Sequence, residues 1–153
     1  MNQEKLAFLS SEFIPLLQHL PAGAIGKWGK MNGQQMVEHL GGFFKVSTGK
    51  LVFSLVTPPE KLPLFKAFLL SEKEFKENTK APVLPEDPLP IRFATQQKAI
   101  IDLEKELDLF NKLFLANANL VITHPVFGPL NFQEWVLLHY KHVVHHLKQF
   151  GLL

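Results

Sequence analysis

The sequence contains no cysteine and only one arginine among its 153 residues. The lack of cysteine excludes disulfides, zinc–thiolate sites and cysteine nucleophiles. Because there is only one arginine, basic charge comes almost entirely from lysine, and the formal net charge is only +2 with histidine neutral. Nucleic-acid-binding surfaces usually carry a dense, arginine-rich basic face, so this composition argues against a nucleic-acid partner.

Long apolar segments are also missing, since no stretch approaches the roughly 20 apolar residues of a membrane-spanning helix. The first five residues lack the basic-then-apolar layout of a signal peptide. Hydrophobic residues make up 46% of the chain and charged residues 20%, which is typical of a globular domain of ordinary size. We therefore expect a single domain over residues 1–153, located in the cytoplasm and without a membrane partner.

Hydrophobic periodicity predicts an all-α protein with four long helices. Apolar residues recur in steps of three and four in four segments: 4–20, a segment from Asn32 to at least Phe43, 95–116 and 131–150. Asn32 with Gln35, and Asn131 with Glu134, have the spacing of capping boxes, which places two of the helix starts. Pro15 is expected to kink or interrupt the first helix.

A proline-rich segment, residues 54–92, separates the second and third of these helices and holds seven of the eleven prolines. One short helix over about 61–70 is expected inside it, and the rest is expected to form a long ordered crossover. Residues 51–56 are the best candidate for a strand, although the alternation is weak. The predicted architecture is a four-helix bundle with one long Pro-rich crossover containing a short extra helix.

The last predicted helix contains four of the seven histidines in a stretch of only eight residues, namely His139, His142, His145 and His146. At about 100° per residue, His142 and His146 lie one turn apart on one face and can bind the same ion. His139 and His145 lie about 60° to either side of His142. The spacing therefore favours His142 and His146 as a pair of metal ligands.

Two imidazoles from one helix bind a metal weakly, so a third ligand is needed from another helix. His39 is the best candidate, because it lies on the predicted core-facing side of the second helix. Three neutral imidazoles with an open fourth position are typical of catalytic zinc sites, and imidazole also accepts nickel, cobalt and iron. The alternative is that each is a core or surface histidine with an ordinary hydrogen bond.

The segment His142–Gln149, HVVHHLKQ, resembles the HxxHHxxQ signature of the DinB/YfiT-like superfamily. The segments Trp28–Met31 and Gln35–Leu40 resemble the second-helix part of that pattern, and the region from His124 to His142 is similar to an uncharacterised DinB-like subgroup. The resemblance implies a four-helix bundle in which His39, His142 and His146 hold one metal ion. Many relatives have Arg-Gly where this chain has Leu147-Lys148. This difference leaves the three ligands in place, but it means that the resemblance does not identify the co-substrate.

The superfamily includes S-transferases that use bacillithiol or mycothiol. The resemblance therefore implies a metal-dependent S-transferase or hydrolase acting on a small-molecule substrate. Zinc or nickel is the expected divalent metal, and a low-molecular-weight thiol is the expected co-substrate of a transferase. His139 and Glu134 are candidate catalytic proton carriers, and Gln149 is a candidate for orienting a bound ligand or water molecule.

Two alternatives from other functional classes stay open. One is a non-catalytic stress-response or binding protein whose metal ties the second and last helices together. Its 14 phenylalanines would leave apolar surface for a partner or for a homodimer. The other is a carrier of lipids or hydrophobic small molecules, with a pocket in the helical core.

Overall fold

A computed structural model describes residues 2–153 as a mostly helical chain with one small sheet of two strands. The helices are α1 (Gln3–Ala7), α2 (Phe13–Leu17), α3 (Gly33–Ser47), α4 (Leu62–Leu70), α5 (Gln96–Ala116) and α6 (Phe132–Gln149). The antiparallel strands are β1 (Ile122–His124) and β2 (Gly128–Leu130). Within residues 2–153, no helix combines the length and the apolar character needed to cross a membrane.

A single turn of π-helix, Phe8–Glu12, joins α1 to α2, so that residues 3–17 form one continuous helical segment. The Phe13 N–H bonds to the Phe8 carbonyl, five residues back instead of four. Pro15 has no N–H to offer the carbonyl of Ser11, and its ring would crowd that carbonyl in a regular helix. The irregular turn therefore lies where the proline predicts one.

Both predicted capping boxes are present. The Asn32 side chain accepts the Gln35 N–H at 2.8 Å, and the Gln35 side chain accepts the Asn32 N–H at 2.9 Å. Asn131 and Glu134 exchange the equivalent pair of bonds, each 3.0 Å long. These bonds satisfy backbone donors that a helix start leaves free. The two helices that carry the candidate ligands therefore begin at the residues that the sequence predicts.

The predicted loop between α5 and α6 contains the β1–β2 hairpin, so the chain is mostly helical rather than wholly so. The His124 ring closes the hairpin turn: its Nδ1 atom accepts the N–H groups of Val126 at 3.0 Å and Phe127 at 3.1 Å. Gly128 adopts a φ of +79°, which favours glycine. The strand considered for residues 51–56 is not formed; that segment is irregular.

Hydrogen bonds and an ion pair connect the proline-rich crossover to α3 and α6. The Glu38 carboxylate accepts the Arg92 N–H at 2.7 Å, and the Gln35 side chain donates to the Leu89 carbonyl at 3.2 Å. Lys148 pairs with Glu74 at 2.7 Å. Apart from the 3-10 turn Pro59–Lys61 and α4, the crossover is irregular. These bonds place it beside the parts of α3 and α6 that carry the candidate ligands.

A single hydrophobic core lies between the long helices. Helix α3 packs mainly against α5, and α6 contacts α1, α3 and α4. The largest fully buried side chains include Trp135, Phe13, Phe44 and Phe110. The core therefore holds α3 and α6 within reach of each other.

Candidate metal centre

The structure brings the three predicted ligands together in one cluster. His39 extends from α3, and His142 and His146 extend from successive turns of α6. The Nε2 atom of His142 lies 2.9 Å from that of His39 and 3.0 Å from that of His146. The candidate ligand atoms of all three lie within 4.8 Å of one another, so this group could hold a metal ion.

The His39–His142 and His142–His146 nitrogen separations fit a shared ion. Two ring nitrogens bound at about 2.05 Å lie about 2.9 Å apart at a right angle and about 3.3 Å apart at the tetrahedral angle. The observed separations of 2.9 and 3.0 Å fall at the close end of that range. Three imidazole donors suit zinc, nickel, cobalt or ferrous iron, and the donor set does not select among them.

Burial keeps these imidazoles neutral. Burial, with a smaller contribution from the charge of His145, lowers the pKa of His39 to about 4. Burial also lowers the pKa of His142 well below its usual range, and the neighbouring His146 and His39 lower it further. The pKa of His146 is lowered well below its usual range for the same reason, burial being the main cause. At neutral pH each ring therefore offers a lone pair, which a metal ligand requires.

Gln149 determines which nitrogen of His146 carries the proton. The Gln149 Oε1 atom lies 2.7 Å from the His146 Nδ1 atom, and the Gln149 Nε2 atom donates to the Trp28 carbonyl at 2.9 Å. Because Oε1 can only accept, Nδ1 of His146 must be the donor. The lone pair of this neutral ring is then on Nε2, which faces the cluster. Gln149 thus contacts a candidate ligand from behind.

The rings of the cluster differ in their packing and exposure. The Phe43 ring lies 4.2 Å from the His142 ring, and the Nδ1 atom of His142 is buried without a partner. His146 is buried, with 6% of its surface exposed, whereas His39 and His142 are only partly buried.

The two candidate proton carriers lie outside the cluster. His139 is fully buried, and its Nε2 atom lies 2.8 Å from the Ser47 hydroxyl oxygen. Glu134 caps α6 through Asn131 and forms an ion pair with Lys66. Each side chain thus has partners of its own, and the catalytic roles of His139 and Glu134 stay predictions.

Two contacts of the site were missed in the sequence. Phe43 follows His39 by four residues, so helical spacing places both on one face and could have indicated their shared neighbour, His142. Trp28 contributes its main-chain carbonyl to Gln149. A main-chain contact carries no side-chain signal, so no residue pattern could have indicated it.

The fold and site together define a mostly helical protein with a three-histidine candidate metal centre. No family model matches the chain, and no curated protein or solved structure is detectably similar to it. The interpretation of the centre therefore depends on the geometry and chemistry of its own residues.

Proposed function

We propose that this protein is a metal-dependent enzyme that binds one divalent ion through His39, His142 and His146. The proposed reaction is S-transfer or hydrolysis on a small-molecule substrate. The observation that carries this proposal is the convergence of three Nε2 atoms, contributed by two helices, at separations of 2.9 and 3.0 Å between neighbours. Three neutral imidazoles whose Nε2 atoms lie this close together are an arrangement that a shared cation would stabilise.

Each of the residues around the cluster has a distinct role in such a site. The three imidazoles hold the ion, and Gln149 keeps the proton of His146 on Nδ1. A bound divalent ion would supply Lewis-acid activation of a water molecule or of an external thiol. Phe43 covers the His142 side of the cluster. His39 and His142 are partly exposed, and we propose that water or a thiol approaches the ion from their side.

We also propose that the chain belongs to the DinB/YfiT-like superfamily and that its long helices form a four-helix bundle. Support comes from four long helical segments, with one candidate ligand on the second and two on the last. The identity of a thiol co-substrate has weaker support. Leu147 is fully buried in the core and Lys148 pairs with Glu74. The two residues that depart from the family pattern therefore contact other parts of this chain.

One observation favours the alternative of a non-catalytic binding protein. Helix α3 packs mainly against α5, so an ion shared by His39 and His142 would add a link between α3 and α6. In that case the metal would act as a cross-link whose removal lowers the free energy of unfolding, and no reaction would depend on it.

Metal analysis tests the site itself. We expect roughly one zinc or nickel ion per chain in the purified wild type, as a single three-histidine site requires. His39→Ala and His142→Ala should each lose most of this metal. His19→Ala is the matched control, because His19 is exposed and should leave the metal content unchanged. Equal metal content in all four proteins would rule out the site.

A reaction screen tests the enzyme against the cross-link. The metal-loaded protein is assayed against electrophilic substrates and hydrolysable esters, with and without low-molecular-weight thiols. We expect turnover that requires metal and is lost in His142→Ala. Metal-dependent stability without metal-dependent turnover under any of these conditions would favour the binding protein.

A further inference from the structure

A short loop, residues 26–29, packs against Gln149 on the side away from the histidine cluster. The Trp28 carbonyl accepts the Gln149 side-chain N–H at 2.9 Å. The Lys27 N–H donates to the main-chain carbonyl of Gln149 at 2.7 Å. Only 3% of the Gln149 surface is exposed. The loop therefore holds both the side chain and the main chain of this residue.

Two glycines allow this close approach. A Cβ atom at Gly29 would lie 2.7 Å from the Nε2 atom of Gln149, and φ at Gly29 is +77°. A Cβ atom at Gly26 would lie 3.1 Å from Cγ of Gln149 and 2.7 Å from the Trp28 carbonyl oxygen. The two 2.7 Å distances are shorter than a real Cβ atom allows, and the 3.1 Å distance is tighter than most Cβ contacts, so a side chain at either position would displace Gln149 or the carbonyl that holds it.

We propose that the loop 26–29 is a positioning element of the metal centre, with Gly26 and Gly29 as positioning residues. The loop fixes the amide of Gln149, whose oxygen holds the proton of His146 on Nδ1 and so directs the Nε2 lone pair at the cluster. This inference rests on the proposed function, because it presumes that the cluster binds metal. A hydrogen bond to the outer nitrogen of a ligating histidine orients the ring and raises its basicity.

The test is the zinc dissociation constant, measured by competition with a chromophoric chelator. Loss of a hydrogen bond to a ligating histidine typically weakens metal binding about 10–100-fold. We expect a weakening of that size in Gln149→Leu, Gly29→Ala and Gly26→Ala.

Gly23→Ala is the matched control for backbone strain. Gly23 also has a positive φ, +72°, but a Cβ atom there would meet nothing within 4 Å. Gly23→Ala should therefore retain the zinc affinity of the wild type. Gly26 has no positive φ, so Gly26→Ala tests the contact without that strain should Gly29→Ala fail to fold. Equal weakening in Gly23→Ala and Gly29→Ala would overturn the proposal.

A double-mutant cycle tests whether the loop acts through Gln149. If it does, Gly29→Ala combined with Gln149→Leu should bind zinc about as weakly as Gln149→Leu alone. Independent, multiplicative effects would contradict the positioning role. Absence of zinc binding by the wild type would remove the metal centre itself. Wild-type binding with unchanged affinity in Gly26→Ala and Gly29→Ala would remove only the role of the loop.

Discussion

Helix α6 contributes histidines to two groups of side chains that differ in what surrounds the histidine ring nitrogens. At the candidate metal centre, the Nε2 atom of His142 lies close to the Nε2 atoms of both His39 and His146. One turn earlier, His139 lies in an aromatic box whose members are Phe43, Phe44, Phe110 and Trp135. Their ring centroids lie 5.3, 3.8, 4.9 and 5.5 Å from that of His139, in that order. Its Nε2 atom bonds to Ser47 instead of to another imidazole.

The comparison shows that burial by itself does not bring a histidine to a place where it could share a metal ion with other imidazoles. Burial lowers the pKa of His139 well below its usual range, as it does for His142. Both rings are therefore neutral at pH 7, and both have a buried Nδ1 atom without a partner. What distinguishes them is the neighbour of Nε2. Phe43 separates the two groups, since its ring lies 4.2 Å from that of His142 and 5.3 Å from that of His139.

The largest expected difference between the two groups is in zinc-dependent stability. At a free zinc concentration of 100 times the dissociation constant, the wild type should gain about 2.7 kcal/mol in the free energy of unfolding. His139→Phe should gain the same amount, because the box lies outside the cluster. His142→Phe should gain almost nothing. Urea unfolding with and without zinc measures this, and a full zinc effect in His142→Phe would contradict the comparison.

A smaller effect is expected from the hydroxyl that serves the aromatic box. The Ser47 hydroxyl donates to the Phe44 carbonyl at 2.8 Å, so it must accept from His139. Ser47→Ala leaves this buried N–H unpaired, which should cost about 1–3 kcal/mol. Zinc affinity should not change.

Thr48→Ala is the control for this substitution. Among residues 2–153, the Thr48 hydroxyl, just past the end of α3, bonds only to the Lys45 carbonyl three residues back, at 3.2 Å. Its removal should change the free energy of unfolding by less than about 0.5 kcal/mol. Urea unfolding in chelator measures both variants. A tenfold loss of zinc affinity in Ser47→Ala would show that the two groups are coupled.

The last expected effect, which is the smallest when expressed per pH unit, is a pH dependence at the border of the aromatic box. Burial lowers the pKa of His124, whose ring lies 5.6 Å from that of Trp135, to about 4. Because the folded-state pKa is below the unfolded value of about 6.5, stability is fully present above pH 6.5 and is lost as pH falls towards 4. The slope contributed by this residue is at most about 1.4 kcal/mol per pH unit.

His124→Asn isolates this contribution. An asparagine side chain can still accept backbone N–H groups two or three residues on, so the hairpin turn keeps an acceptor. Urea unfolding in chelator between pH 4 and 7 gives the slope of the free energy of unfolding against pH. In His124→Asn this slope should be shallower than in the wild type by the contribution of about one proton. Identical slopes would mean that His124 titrates alike in the folded and unfolded chains.

Much of the helical framework could be predicted from local pattern. The capping boxes at Asn32 and Asn131 involve residues three apart, so their chemistry is visible in a short window. The β1–β2 hairpin could not be predicted, because it depends on His124 accepting backbone bonds instead of on alternating hydrophobicity. The roles predicted for His139 and Glu134 are still untested.

The sequence alone determined that His142 and His146 share a face, because the rise and turn of an α-helix follow from backbone geometry. Only the tertiary structure decided that His39, 103 positions from His142, completes the cluster. It also decided that His139, three residues before His142, bonds to Ser47 in the aromatic box. The physical reason is that distances within a helix depend on local dihedral angles, whereas contacts between helices depend on the packing of the whole core.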